Sequence, residues 1–140
     1  MIQVFFPEHV PDETIRYSVI VARMNEKWLF VRHMERSTLE CPGGHREAGE
    51  TPLQCAKREL WEETGAIDYQ LTEIGPYGVR RYRDDGTFAE SFGMLYRAQV
   101  QAIGPIPAGS EIAEAVLLDE LPTQWTYPDI QPYLLNKAWP

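Results

Sequence analysis

The sequence predicts an α/β protein in which a mixed β-sheet is flanked by two helices. Runs of β-branched and aromatic residues recur at strand length, one helical pattern lies near the middle of the chain, and a second lies at its end. The 140 residues fit one domain that is large enough to bury a core. We therefore expect a single domain that spans residues 1–140.

Composition and charge restrict the function. The chain is 44% hydrophobic and 24% charged, as in ordinary globular proteins, and its formal net charge is −8. This charge would repel a nucleic-acid polymer or an anionic membrane, so we expect neither as a partner. The N-terminus lacks a signal-peptide pattern, and Cys41 and Cys55 lack metal-ligand spacing. We expect a cytoplasmic protein with two reduced thiols.

The first part of the chain predicts three strands. Ile2 to Phe6 is a short apolar run that ends at a proline. Arg16 to Arg23 and Lys27 to Arg32 are β-branched and aromatic runs, and the short break between them predicts an antiparallel hairpin. His33 to Glu40 is polar, and we expect a mobile loop there.

The central segment predicts a helix from Pro52 to Thr64. Thr51 is a suitable N-cap, Pro52 suits the first helical position, and Gly65 suits the left-handed residue that follows the last turn. With about 100° of rotation per residue, one face presents residues that we expect to be buried. They are Leu53, Ala56, Leu60 and Thr64.

The last part of the chain predicts a long hairpin, a short strand and a second helix. Asp84 to Gly86 is a turn signal between two strand-like arms, Tyr69 to Tyr82 and Thr87 to Val100. A short apolar strand, Val116 to Leu118, follows a Pro/Gly-rich loop. Asp129 to Lys137 predicts the terminal helix, with its proline in the first turn.

Three acids crowd one edge of the central helix. Glu59, Glu62 and Glu63 stand at positions i, i+3 and i+4, so their carboxylates lie side by side. Glutamates at this density are most often a solvated face, but a divalent cation would turn their repulsion into binding. Ligands that are all oxygen suit Mg²⁺ first and Mn²⁺ second. Arg58 is placed to hold Glu50 or a neighbouring glutamate by a bidentate bond.

The spacing around these acids resembles the signature of the Nudix hydrolases. The matching positions are Gly44, Glu50, Arg58-Glu59-Leu60, Glu62-Glu63 and Gly65. One position departs from the pattern, because Ala66 stands where the family usually has a larger aliphatic residue. The resemblance implies an α/β/α sandwich in which the signature forms a loop, a helix and a loop.

The resemblance also implies an activity. Nudix hydrolases use Mg²⁺ or Mn²⁺ to hydrolyse a pyrophosphate bond in a substrate that contains a nucleoside diphosphate. The small size is compatible with the branch that acts on canonical or oxidised nucleoside triphosphates, such as 8-oxo-dGTP. The partner is then a small nucleotide, and a homodimer is compatible with the family. The alternative is a Nudix-like module that binds a nucleotide without hydrolysing it, which the intact acids argue against.

The resemblance assigns the metal ligands to the helix and the segment before it. They are Glu59, Glu62, Glu63 and the Gly43 carbonyl. Arg58 and Glu50 resemble the pair that supports the ligands. The general base stays open between Glu59 or Glu63 in the signature and Glu111 or Glu114 beyond it. Of the last two, we expect Glu114 to add a carboxylate beside the metal.

Three residues of the long hairpin are our candidates for contact with the substrate. Arg81 belongs to the densest basic cluster, for which paired surface charge is the more common role, and it could receive phosphate as the alternative. Tyr82 lies about where dinucleoside polyphosphate hydrolases carry a tyrosine, and Phe92 could stack on a base. Aromatic residues at strand spacing are more often part of a core.

Overall fold

The chain folds into seven strands, two α-helices and one 3₁₀ turn in a computed structural model that describes residues 1–140. The elements in chain order are β1 (Ile2–Phe5), the 3₁₀ turn (Asp12–Thr14), β2 (Ile15–Met24), β3 (Lys27–His33), β4 (Gly43–His45), α1 (Pro52–Thr64), β5 (Ala66–Tyr82), β6 (Phe88–Ile103), β7 (Ile112–Leu118) and α2 (Gln131–Ala138). Neither helix is long and apolar enough to cross a membrane.

All seven strands join one mixed sheet. Its order is β1-β5-β6-β2-β3-β7, and β4 pairs separately with β2. β2 and β6 run parallel, whereas every other pair is antiparallel. Both predicted hairpins are present as β2–β3 and β5–β6. At the first hairpin, Asn25 and Glu26 have φ angles of 52° and 66°, as a two-residue turn with the twist of the strands requires.

Helix α1 has its predicted bounds because both of its ends are fixed locally. The Thr51 hydroxyl accepts the Gln54 N–H at 3.1 Å, and the Gln54 side chain accepts the Thr51 N–H at 2.9 Å. Gly65 follows the last turn with a φ of 73°. A Cβ at this position would lie 2.3 Å from the carbonyl oxygen of Gly104. Glycine is therefore required for the chain to pass directly into β5.

The two helices cover opposite faces of the sheet. Ala56 and Leu60 of α1 are fully buried in one apolar core with residues of β2 and β6. Leu134 and Ala138 of α2 are fully buried in a second core on the other side. The fold is therefore the predicted α/β/α sandwich.

The structure corrects three local predictions. Leu53 lies in the first turn of α1 and is 44% exposed, so it is not buried with the rest of its predicted helix face. α2 begins at Gln131 rather than at Asp129, with Pro132 in its first turn. Gly43–His45 was not predicted as a strand, but it pairs with β2.

The segment from His33 to Glu40 is not a free loop throughout. Glu40 exchanges backbone hydrogen bonds with Val31, at 2.9 and 3.0 Å, and is only 7% exposed. The prediction of a mobile loop is therefore wrong at this end of the segment. These backbone bonds hold Glu40 near α1, where His33 lies between Glu40 and Glu63.

Candidate active site

A cavity of about 960 Å³ is bordered by α1, the sheet and α2. Its charged end is lined by α1 and by the segment from His33 to Glu40. The apolar end is lined by side chains from three elements: Tyr17, Val19, Tyr77, Val79 and Leu134. A pocket with one charged and one apolar end suits a ligand that carries both a polyanionic group and a ring.

Arg58 organises the charged end. It holds Glu50 by a bidentate bond, with Nε–Oε2 and Nη2–Oε1 distances of 2.7 and 2.9 Å. Its Nη1 donates to Glu59 at 2.8 Å and to Glu62 at 3.2 Å, and its Nη2 also donates to the His45 carbonyl. The hydrogen bonds from Arg58 lower the pKa of Glu50 to about 2. The predicted bond between Arg58 and Glu50 is thus present, and the same guanidinium draws in two of the three clustered acids.

Glu59 fits into space that a glycine leaves open. A Cβ at Gly44 would lie 2.5 Å from the carboxyl carbon of Glu59. Burial raises the pKa of Glu59, although the hydrogen bond from Arg58 opposes this rise. The glycine of the signature therefore makes room for the Glu59 carboxylate.

Glu63 is the most buried of the three acids, with 7% of its surface exposed. Its Oε1 accepts the Gly43 N–H at 2.8 Å, and its Oε2 lies 3.7 Å from His33 Nε2. Burial raises the pKa of Glu63 to about 8, and the nearby acids add to the rise. A positive group bound beside Glu63 would favour its ionised form.

The donor chemistry fits a hard divalent cation, although the side chains are not arranged around one. No three His, Cys, Asp or Glu side chains form a metal-binding group in this structure. Glu59 and Glu62 contact Arg58 instead, and Glu63 contacts Gly43. Three carboxylates beside one cavity are nevertheless the ligand type that Mg²⁺ and Mn²⁺ prefer, and two of them already share one cation.

The structure does not place Glu114 with the other acids. Glu114 lies opposite Arg32 in the β3–β7 pairing, and its Oε1 is 3.1 Å from Arg32 Nε. Glu111, the other acid considered before the last strand, lines the cavity. Of these two acids, only Glu111 therefore borders the cavity.

Of the three predicted substrate contacts, Arg81 lines the cavity and the two aromatic residues do not. Tyr82 donates its hydroxyl to Gln3, and Phe92 packs edge-on against Phe5 with ring centroids 6.0 Å apart. Side chains alternate between the faces of a strand, so Tyr82 points away from the face that carries Arg81. The predictions for Tyr82 and Phe92 are corrected accordingly.

Glu40 lines the cavity but was not among the residues predicted for the site. Its carboxylate lies 3.0 Å from Arg36 Nη1 and 3.6 Å from His33 Nε2. A charged residue between the apolar Leu39 and Cys41 was the available signal. Its burial depends on the bridge to β3, which the local sequence does not show.

A sandwich with an acidic helix beside a large cavity agrees with what the signature implied. The sequence model of the NUDIX domain matches residues 14–136. The chain therefore belongs to the Nudix hydrolase family.

Comparison with individual proteins gives partial matches in sequence and a nearly complete match in fold. A Bacillus subtilis protein described as a candidate 8-oxo-dGTP diphosphatase, YtkD, is 33% identical over 78 residues, covering 56% of this chain and 49% of that protein. The RNA pyrophosphohydrolase of Mesorhizobium japonicum is 37% identical over 62 residues, covering 44% and 36%. The crystal structure of the Bacillus subtilis pyrophosphohydrolase BsRppH has a TM-score of 0.77 and 25% identity, covering 97% of this chain and 88% of that chain. The aligned part thus spans half or less of either sequence relative.

Proposed function

We propose that this chain is a divalent-metal-dependent hydrolase that cleaves a pyrophosphate bond in a nucleotide. The observation that carries the proposal is the convergence of Glu50, Glu59 and Glu62 on Arg58 at the charged end of the cavity. A purely structural ion pair needs one acid for one guanidinium. The excess of acids is better explained by a second positive group that binds there during function.

Glu59, Glu62 and Glu63, with the Gly43 carbonyl, are the residues that would hold Mg²⁺ or Mn²⁺. A bound ion of this kind neutralises phosphate oxygens and makes a bound water more acidic. Arg58 keeps the carboxylates of Glu59 and Glu62 on one side of the cavity. The ordering of these side chains before the substrate arrives reduces the reorganisation that catalysis requires.

The proton acceptor is one of the carboxylates that face the cavity. Glu59 and Glu63 are the candidates on α1, and Glu111 is the candidate beyond it. Each could accept a proton from the attacking water if it lies within hydrogen-bond reach in the complex. Separate substitution of each acid by glutamine, with the pH profile of kcat, identifies the base.

The substrate that fits best is a nucleoside triphosphate, canonical or oxidised. Arg81 lines the cavity and has no carboxylate partner, so its charge is available to a phosphate group. Tyr17 lines the apolar end and is partly exposed, so a base can lie against its aromatic ring. The names of the two sequence relatives, an 8-oxo-dGTP diphosphatase and an RNA pyrophosphohydrolase, support pyrophosphate hydrolysis but differ in the substrate.

The test is a substrate panel in Mg²⁺ or Mn²⁺ with the products identified by mass. It includes canonical and oxidised nucleoside triphosphates, ADP-ribose, dinucleoside polyphosphates, coenzyme A and an RNA that carries a 5′-triphosphate. We expect turnover of a nucleoside triphosphate that stops when EDTA is added. Preferential turnover of the RNA would overturn the substrate assignment. Stabilisation by a nucleotide without turnover of any compound would instead support the binding-module alternative.

A further inference from the structure

The arginines that line the cavity differ in how many of their donors are free. They are Arg36, Arg46, Arg58 and Arg81. Arg58 uses all of its N–H groups on Glu50, Glu59, Glu62 and a carbonyl. Arg46 donates to the Asp12 carboxylate and to three carbonyl oxygens. Neither can receive a phosphate without losing its present partners.

Arg36 keeps most of its donors. Its Nη1 donates to Glu40 Oε1 at 3.0 Å, and a side-chain hydrogen bond with Tyr127 raises the pKa of Arg36, so three of its five N–H groups have no partner. The side chain is 44% exposed and lines the cavity, so the remaining donors are accessible to a ligand. A guanidinium with two free donors can hold two oxygens of a phosphate.

The position of Arg36 is fixed from both sides. Its carbonyl accepts a hydrogen bond from Arg32 Nη1 at 3.1 Å, and its guanidinium lies 5.9 Å from the centre of the Tyr127 ring. Its acidic partner, Glu40, is buried and tied to Val31 through the backbone. The guanidinium is therefore oriented before a ligand binds, which lowers the entropy cost of binding.

Arg36 also lies close to the clustered acids. His33 Nε2 is 3.6 Å from Glu40 and 3.7 Å from Glu63, so only His33 and Glu40 separate the guanidinium from Glu63. Arg81 reaches the cavity from β5, a different wall. Arg36 is therefore placed to receive a phosphate group of a chain that is held beside Glu63.

From this geometry, we infer that Arg36 binds a phosphate of the substrate and that Glu40 holds Arg36 in position. The inference rests on the proposed function for the identity of the substrate, but the binding of phosphate by Arg36 is measurable by itself. Glu40 acts as a positioning residue, since its carboxylate contacts Arg36 and His33 and no reacting atom is assigned to it.

Calorimetry with inorganic pyrophosphate in Mg²⁺ tests the inference. We expect Arg36→Gln to weaken pyrophosphate binding about tenfold, the loss typical of one charged hydrogen-bonding contact. Arg36→Lys keeps the charge but loses the paired donors of the guanidinium that can hold two phosphate oxygens, so an intermediate affinity is expected. The matched control is Arg83→Gln, which removes the same charge from the exposed turn after β5 and should leave the affinity unchanged.

Kinetics separates binding from positioning. With the triphosphate that the protein hydrolyses, Arg36→Gln should raise KM about tenfold and change kcat much less, as the loss of uniform binding does. Glu40→Gln should raise KM in the same direction. Arg36→Gln leaves the buried Glu40 with His33 alone as a partner. The double variant with Glu40→Gln removes the unpaired charge, and urea unfolding of both variants checks that the loss of binding does not come from misfolding.

The outcomes are distinct. Three results would overturn the inference. Arg36→Gln could leave the pyrophosphate affinity unchanged, Arg83→Gln could reduce it equally, or the unmodified protein could fail to bind pyrophosphate. If pyrophosphate binds in an Arg36-dependent way but no nucleotide is hydrolysed, the proposed function fails and this inference stands. If nucleotides are hydrolysed with the same KM after Arg36→Gln, the inference fails and the proposed function stands.

Discussion

Glu62 is the acid of the cluster whose removal should affect the fold least. Its side chain is 42% exposed, and its hydrogen-bond partner is Arg58, which has several others. We expect Glu62→Gln to lower metal-dependent turnover by at least about 100-fold, as the loss of a group that stabilises transition-state charge does. The free energy of unfolding should change by less than about 0.5 kcal/mol, as for most surface substitutions. Product formation in Mg²⁺ and urea unfolding measure the two effects.

The matched control is Glu120→Gln, because Glu120 is also exposed and lies outside the cavity. It removes the same charge and should leave turnover unchanged. Near-normal turnover of the Glu62→Gln variant would refute the assignment of the three acids as one ligand cluster.

The substitution Gly44→Ala should affect turnover more than the stability of the fold. The Cβ of Gly44→Ala would lie 2.5 Å from the Glu59 carboxyl carbon, so the carboxylate must move. Because the displaced atoms are the flexible end of a side chain, we expect a loss of stability below about 1 kcal/mol, less than overpacking in a core costs. Turnover should fall about tenfold or more, since a misplacement of about 1 Å in a site has large kinetic effects.

Gly104→Ala provides the comparison for this prediction. A Cβ at Gly104 would have its nearest neighbour at 3.7 Å, an ordinary contact. Its turnover should match that of the unmodified protein. A Gly44→Ala variant that unfolds readily but keeps its specific activity would show that the glycine serves the fold and not Glu59.

At the scale of elements, α1 joins the core to the site. Leu60 is fully buried under the sheet, whereas Leu53 is 44% exposed on the same helix. We expect Leu60→Ala to lower the free energy of unfolding by about 2–5 kcal/mol through a cavity in the core. Leu53→Ala should cost less than about 1 kcal/mol, although periodicity predicts the same burial for both. Urea unfolding of the two variants measures the difference, and equal losses would contradict the different burial of the two leucines.

The elements that the sequence predicts well are those whose causes are local. The bounds of α1 follow from Thr51, Gln54 and Gly65, all within a residue or a turn of its ends. The parts of the fold that the sequence predicts poorly depend on pairing between segments that are distant along the chain. Glu40 is buried because its backbone bridges to Val31, and β4 is a strand because β2 lies beside it.

The same contrast explains the errors in the site. Glu59, Glu62 and Glu63 could be placed together because helical spacing alone does so. The choice between Glu111 and Glu114 depends on a register irregularity where β3 pairs with β7. That irregularity has no signature in either strand. The prediction for Tyr82 comes from the family resemblance, which does not show which face of β5 meets the cavity.

At the scale of the whole molecule, both helical layers of the sandwich contribute residues to one cavity. Its charged wall comes from α1, which belongs to one layer of the sandwich, and Gln131 and Leu134 come from α2 in the other layer. Anything that binds across the cavity therefore contacts both layers, and its binding energy adds to the stability of the whole fold. This coupling gives a test of the metal site that does not require a known substrate.

We expect Mg²⁺ or Mn²⁺ to stabilise the folded protein through the three acids of α1. A metal at about 100 times its dissociation constant adds about 2.7 kcal/mol to the free energy of unfolding, if the unfolded chain does not bind it. Urea unfolding in EDTA and in saturating metal measures the rise. KCl at matched ionic strength is the necessary control, because screening alone relieves part of the repulsion among the acids. The double variant Glu59→Gln, Glu62→Gln should lose most of the metal-specific rise, whereas Glu120→Gln should keep it. An equal rise with KCl, or a full rise in the double variant, would place any bound metal elsewhere, and the acids would then serve only to hold Arg58.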